Sequence, residues 1–204
     1  MWLSFAKTKR RQKWQRIERL VKTLLTLLVL STLPFRASAW DPADLTRFRG
    51  SLDCRDCDLT SANFVRADLR ASTLTSSDLS GSVMTYASLI GADLSGCVLK
   101  GANLRGANLF YALLDGAVTA GADFSGANLA GASLVGADLS DTDLSGANLF
   151  SADLTGAILR ATDLGHSSLY RAVMKGAVID DTSLGTALLC ETTMPDGTRV
   201  DRDC

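Results

Sequence analysis

A five-residue period runs through most of this 204-residue chain without an insertion or deletion. Every fifth residue from Leu59 to Leu189 is large: these 27 positions hold 21 Leu, two Phe, two Met, one Ile and one Thr, which is Thr119. Two residues before each stands a small residue, and this column, from Cys57 to Ala187, holds 18 Ala, four Ser, three Thr and two Cys. A period of five matches neither the 3.6 residues of a helix nor the 2.0 of a strand. It predicts a coil with one unit on each side and a corner between units, so that both columns face inward.

Two runs, residues 102–109 (ANLRGANL) and 126–132 (GANLAGA), resemble the A(D/N)LXX motif of pentapeptide repeat proteins. The resemblance covers about residues 54–194 and implies an all-β fold, a right-handed quadrilateral β-helix with 20 residues per coil and about seven coils. The ends also resemble that family. Residues 54–59 (CRDCDL) are similar to its C-x-x-C-D-L opening, and residues 193–198 (TMPDGT) to a common closing turn.

Polar residues in the repeats support the 20-residue coil independently. Thr recurs in the small column, and Asn recurs just before the central residue, each at steps of 20: Thr142, Thr162 and Thr182, and Asn108, Asn128 and Asn148. Stacking at the inter-strand distance of ~4.8 Å would let hydroxyls and amides form ladders of hydrogen bonds. A core of Leu over Leu and Ala over Ala also explains how a 6% share of aromatic residues suffices.

An open solenoid needs caps, because its terminal coils expose apolar side chains and strand edges. Before the repeats we predict a short helix with Asp41 as N-cap, Pro42 at the first helical position and Gly50 beyond the end. Leu45 and Phe48 would lie on one face and cover the first coil. After the repeats, residues 195–197 (PDG) predict a turn, after which residues 200–204 fold back.

The first 39 residues resemble a secretory leader. A basic segment to Lys22 precedes a 13-residue apolar stretch, and Ala37 and Ala39 form an A-x-A cleavage site before Trp40. An uncleaved signal-anchor and an amphipathic cytoplasmic helix remain alternatives. The predicted domains are a signal peptide (1–39), an N-terminal cap (40–53), the β-helix (54–194) and a C-terminal cap (195–204). Cleavage would leave no membrane segment, and we expect localisation to the periplasm or the thylakoid lumen.

Export implies an oxidising compartment, which favours disulfides over metal or redox chemistry for the four cysteines at the ends. The natural pairs are Cys54 with Cys57 and Cys190 with Cys204. A metal half-site is the alternative for Cys54-x-x-Cys57, but no second ligand pair exists and the chain has one His. Cys97 lies in the small column two coils from Cys57, too far for a bridge, so we expect a free buried thiol.

No catalytic or metal constellation emerges, and we expect no enzyme and no cofactor. The single histidine, His166, falls at an outward position, where a solvated surface side chain is the simplest interpretation. The column Asp123, Asp143 and Asp163 suggests either a cation site or carboxylates that accept backbone N–H bonds at their corners.

One outward column is apolar. The residues after the central position on one side are Ile90, Phe110, Ala130, Phe150 and Tyr170, and Tyr111 stands beside Phe110. We call this column the aromatic stripe. It has no core role, so it predicts a site of partner binding or self-association. The alternative is that these side chains only cover one another along the ladder.

The distribution of charge along the chain bears on two classes of function. Residues 1–40 carry a net charge of +8 and residues 57–191 carry −7. The resemblance implies either a non-catalytic exported scaffold or protein-interaction module, or an acidic DNA mimic that binds a type II topoisomerase in the cytoplasm. The leader favours the first, with an unknown protein partner or a second copy on the aromatic stripe and no nucleic acid. The second class would apply if the leader is not cleaved.

Overall fold

The computed structural model describes residues 41–182 and 184–204. The predicted leader and its cleavage site at Ala37 and Ala39 lie outside these residues. Single parallel β-bridges join residues 20 apart from Asp53 to Thr193. Each 20-residue coil has four bridge positions, as in Asp58↔Asp78, Asn63↔Val83, Asp68↔Ser88 and Thr73↔Asp93. The pairing step of the structure is therefore the 20-residue step that the Thr and Asn spacing indicates.

The backbone hydrogen bonds made by a single unit show how this β-solenoid is built. The backbone N–H of the central Leu104 donates to the Asp123 carbonyl oxygen in the next coil (2.7 Å). The N–H of Gly106 donates to the Ser125 carbonyl oxygen in the same coil as Asp123 (3.0 Å). The backbone N–H of Asn103 donates to the Ser82 carbonyl oxygen in the previous coil (2.9 Å). At the corner, the Ala107 N–H donates to the Leu104 carbonyl oxygen (2.9 Å). Extended backbone therefore lasts only a residue or two before each corner. Within the described residues, the two strands longer than one bridge are β1 (Thr192–Thr193) and β2 (Arg199–Val200).

The corners depend on left-handed backbone. Every fifth residue from Asp56 to Asp181, two after each central residue, has φ between 52° and 71°. Glycine reaches this region without steric cost, which explains its preference for these positions. The same conformation is held by Arg66, Tyr86 and Arg171. The coil therefore tolerates long side chains at this position.

Both inward columns are buried along most of the solenoid, and Ile179 and Leu184 near its end are partly buried. Their members include Leu109, Ala107 and Leu149, all fully excluded from solvent. Thr119, the one polar central residue, is also fully buried. Its hydroxyl lies 2.7 Å from the Thr142 hydroxyl and 3.1 Å from the Asp138 carbonyl oxygen. Thr142 of the small column in the next coil thus gives the buried Thr119 hydroxyl a hydrogen-bond partner.

This pair predicts an asymmetric response to substitution. Thr119→Leu alone is expected to be close to neutral, because the added apolar burial is offset by crowding against Thr142. Thr119→Leu with Thr142→Ala restores Leu beside Ala and is expected to exceed the wild type in stability by about 1 kcal/mol. Urea unfolding measures both. If the Thr119→Leu protein does not fold, the register of this coil is wrong.

The predicted ladders form for Asn but not for Thr. Asn128 and Asn148 each donate an Nδ2 hydrogen to the Oδ1 of the Asn one coil earlier, at 3.1 and 3.2 Å. The hydroxyl of Thr162 instead donates to the carbonyl oxygen of Leu139, 23 residues earlier, at 2.7 Å. The expectation of a Thr ladder is wrong because a hydroxyl is too short to span the ~4.8 Å between coils, whereas a corner carbonyl lies within reach.

The predicted capping helix is present as α1 (Pro42–Ser51), with Asp41 as N-cap accepting the Ala43 N–H at 2.8 Å. Leu45 and Phe48 are buried as expected, and the Phe48 ring meets Phe64 edge-to-face at 5.6 Å. The predicted helix end is wrong. Gly50 lies inside α1, and the left-handed residue that ends it is Leu52, whose N–H reaches the Phe48 carbonyl oxygen. Docking on the first coil extends the helix past the glycine.

At each end of the solenoid, an aspartate of the cap forms hydrogen bonds with the terminal coil in place of a further coil. At the first coil, Asp44 accepts the Asp58 N–H (3.0 Å), and the Asp58 carbonyl accepts the Asp41 N–H (3.1 Å). At the last coil, Asp203 accepts the Leu189 N–H through its carboxylate and donates its own N–H to the Leu189 carbonyl, both at 2.9 Å. Strands β1 and β2 pair antiparallel, so the chain folds back after the turn at residues 195–197. Neither edge exposes these groups as a template for aggregation.

The C-terminal cap predicts a pH dependence. The Leu189 N–H, with help from Arg202, lowers the pKa of the Asp203 carboxyl. A lowered pKa in the folded state contributes stability that is present above the unfolded value of ~3.9 and is lost as pH falls through the lower folded value. Thermal melts of wild type and Asp203→Asn at pH 7 and below about 4 should therefore converge toward low pH. A constant difference between the two proteins would contradict this role.

Candidate interaction surface

The aromatic stripe lies on successive coils of one face. The residues two positions before its members, from Ser88 through Asn108, Asn128 and Asn148 to Ser168, are joined by consecutive bridges. Phe110 and Phe150 are each 39% exposed, whereas Ala130 between them is 6% exposed. The Ala130 side chain is therefore shielded in a column whose flanking rings remain open to solvent.

Ring contacts stiffen the stripe. Phe150 stacks on Tyr170 with centroids 5.3 Å apart, and Phe110 meets Tyr111 edge-to-face at 4.4 Å. The Arg171 guanidinium lies 5.1 Å from the centroid of the Tyr170 ring. The Asn ladder beside the stripe holds its backbone, because Asn108, Asn128 and Asn148 accept the N–H of Phe110, Ala130 and Phe150, respectively. These contacts show that the rings partly cover one another, yet each phenyl keeps an exposed face.

Tyr111 widens the surface at the corner. It is 62% exposed, and its ring lies over Gly131 of the next coil, where an added Cβ would be 2.6 Å from the ring. The sequence patterns did not single out five other exposed apolar residues, Val65, Tyr86, Leu113, Val135 and Leu188. Leu113 and Leu188 occupy positions just before a central residue, where their columns are otherwise mostly polar. That departure was the signal that could have identified them.

The aspartate column makes hydrogen bonds within its own corners. Asp123, Asp143 and Asp163 accept the backbone N–H two residues ahead, each at 2.8 Å. Each of these carboxylates therefore caps the backbone of its own corner. In the part of the chain that the structure describes, the one grouping of metal-ligand type is Asp44 with Cys54 and Cys57, and its two sulfurs are bonded to each other.

The cysteines lie as follows. Cys54 and Cys57 are bonded at the first coil with their Cα atoms 5.5 Å apart, and Cys190 and Cys204 are bonded at the last with Cα atoms 5.0 Å apart. Cys97 is a free, buried thiol that donates to the Leu74 carbonyl oxygen at 2.8 Å. Burial raises the pKa of Cys97 to about 12. The thiol is therefore inert at neutral pH.

Native alkylation should consequently spare Cys97. At pH 8 we expect iodoacetamide to label it only after denaturation, which restores an ordinary thiol pKa of ~8.5 and opens access. Mass spectrometry of protein labelled before and after denaturation measures this difference. Rapid labelling of the native protein would place Cys97 outside the core.

His166 is exposed at its corner, and its backbone N–H donates to the Thr186 hydroxyl. Its imidazole makes no hydrogen bond to any described residue. Across residues 41–182 and 184–204 no helix combines the length and apolarity needed to cross a membrane.

A solenoid of stacked five-residue units belongs to the class of repeat proteins. The family described as Pentapeptide repeats matches the chain in eight copies over residues 53–85, 77–110, 87–117, 107–146 and 147–189. The chain belongs to this family.

Several solved structures are similar. HetL, a pentapeptide repeat protein involved in heterocyst differentiation regulation from a Nostoc cyanobacterium, is 25% identical, with 78% of this chain and 99% of HetL covered and a TM-score of 0.36. Rfr23 from the cyanobacterium Cyanothece 51142 is 23% identical over 71% of this chain and 96% of its own, with a TM-score of 0.43. A pentapeptide repeat protein from the Arabidopsis thaliana thylakoid lumen is 32% identical over 52% and 64%, with a TM-score of 0.19. No curated protein matches the chain.

Proposed function

We propose that this chain is a non-catalytic scaffold that binds a protein partner or a second copy of itself through the aromatic stripe. The observation that carries the proposal is the exposure of Phe110, Phe150 and Tyr111 on the outside of a core that is already complete without them. Contiguous exposed apolar surface on a folded protein marks interaction sites, and aromatic residues are enriched there.

The geometry of the stripe suits binding. Its rings stand on a hydrogen-bonded face and contact one another in two pairs, Phe110 with Tyr111 and Phe150 with Tyr170, so less side-chain entropy remains to be lost on association. Leu113, 43% exposed, lies on the same coil across the corner from Phe110 and extends the apolar surface. Aromatic anchors surrounded by apolar residues are the usual composition of an interface centre.

We further propose that the protein is exported to the periplasm or thylakoid lumen. In this proposal residues 1–39 are a signal peptide, residues 40–53 and 195–204 are caps, and residues 54–194 form a right-handed, four-sided helix of about seven coils. The two disulfides at the caps support an oxidising compartment. Cell fractionation with N-terminal sequencing should find a mature chain that starts at Trp40 outside the cytoplasm. A full-length cytoplasmic chain would overturn the export proposal.

The stripe is tested by replacing Phe110→Ser and Phe150→Ser together. The double variant is expected to keep its circular dichroism and melting temperature but to lose a dimer or partner complex seen for the wild type by sedimentation velocity. Val65→Ser with Val135→Ser is the matched control, since both valines hold the same place in their units on other faces and are 46% and 38% exposed. A lower melting temperature with unchanged association would show that the rings only stabilise the ladder. A strictly monomeric wild type without a partner would remove the function.

A further inference from the structure

A second surface feature lies on another corner of the solenoid. A groove of about 510 Å³ follows this corner, lined by Tyr86, Arg105, Gly126, Asp143, Ser145 and His166 among others. The groove is open to solvent, so a ligand would lie along it and not be enclosed. Tyr86 and His166 occupy equivalent positions four coils apart, which is roughly 19 Å along the solenoid axis. The groove is therefore elongated and suits a linear ligand.

Unused hydrogen-bonding groups converge on this groove. Among the described residues, no hydrogen bond or ion pair engages the Arg105 guanidinium, the Ser145 hydroxyl or the His166 imidazole. Asp143 uses Oδ1 for the Ser145 N–H, and its other oxygen has no partner among these residues. At one end stands the Tyr86 ring, 57% exposed. Donors, acceptors and an aromatic face are thus available together.

The floor of the groove consists of backbone. Gly106, Gly126 and Gly146 carry no side chain; the Tyr86 ring already lies over Gly106, whereas a Cβ added at Gly126 or Gly146 would meet nothing within 4 Å. Their N–H groups already donate to the carbonyl oxygens of Ser125, Ser145 and Gly165. A peptide that binds by strand addition requires free backbone donors and acceptors, which these N–H groups cannot supply. The floor instead lets a flat ligand approach closely.

The charges around the groove further limit the class of ligand that can bind. The wall beside the groove carries the stacked carboxylates Asp123, Asp143 and Asp163, and Arg105 is the one lysine or arginine in the lining. Nucleic acids and other polyanions need several cationic contacts and would be repelled here. We infer that the groove binds a neutral linear glycan. Sugar hydroxyls bond to Asp143, Ser145, His166 and Arg105, and a pyranose ring packs its C–H face on Tyr86.

Isothermal titration with cellohexaose and chitohexaose tests this assignment. We expect binding of at least one, and at least a tenfold loss of affinity for Tyr86→Ala and for His166→Ala. Asp181→Ala is the control, since Asp181 holds the same corner place in its unit and is outside the groove. It should leave the affinity unchanged.

A filling variant separates loss of binding from loss of folding. Gly126→Arg places a long side chain in the groove, and its backbone conformation is one that Arg66 and Arg171 already hold. Gly116→Arg makes the same change on another face, where an added Cβ also meets nothing. Both should lose the same amount of stability, because a residue with a Cβ is strained at this positive φ, and only Gly126→Arg should abolish titration heat. No binding of either hexasaccharide, equal losses of binding in the two arginine variants, or preferential binding of hexagalacturonate would overturn the inference.

Discussion

Leu139→Ala is expected to lower the free energy of unfolding by about 2 to 5 kcal/mol. Leu139 is 1% exposed in the central column, and the coils above and below restrict how far the backbone can collapse into the vacated volume. In a solenoid each coil is stabilised by its neighbours, so a cavity in the middle weakens two interfaces at once. Chemical denaturation followed by circular dichroism measures the loss.

Leu113→Ala is the control for this prediction. It removes the same atoms from a leucine that is 43% exposed, so its effect is expected to stay within about 0.5 kcal/mol. Equal effects at the two positions would contradict the inward placement of the central column.

Removal of the C-terminal disulfide by Cys190→Ser with Cys204→Ser is the second large effect. The bridge spans 14 residues, and the chain-entropy model assigns about 3 kcal/mol to a loop of that length. The loop carries Asp203 and Asp201, which accept the N–H groups of Leu189 and Glu191. Loss of the bridge should therefore also free the edge of the last coil.

Hydrogen exchange distinguishes this effect from a global one. The amides of residues 189–194 should exchange faster in the double variant, while those near Leu109 keep their protection. Wild-type unfolding free energies that are the same with and without reductant would indicate that the cap is held by its hydrogen bonds alone.

The sequence predicted most features that repeat along the chain, with the Thr ladder as the exception. Inward Leu and Ala, the 20-residue step, the Asn ladder and the corner glycines each depend on one period, and the structure contains them all. Features that depend on one local contact were harder to predict. Gly50 is an ordinary helix terminator in sequence, but packing of Phe48 on Phe64 carries α1 past it.

The same distinction applies to the surfaces. The aromatic stripe could be found in the sequence because its members recur at steps of 20. The groove was harder to find, because its corner column changes residue type from Tyr86 through Gly106, Gly126 and Gly146 to His166. It depends on three consecutive corners that lack side chains, and the depth they leave is visible only in the structure.

The central claim, that the stripe is the face on which the protein binds, is tested most directly by site-specific photo-cross-linking. A benzophenone side chain is introduced at position 150 or, as control, at position 65 in the native compartment. From position 150 we expect one discrete cross-linked species of dimer or heteromer mass, which disappears when Phe110→Ser is added. From position 65 we expect none. Equal cross-linking from both positions, or none from position 150, would contradict it.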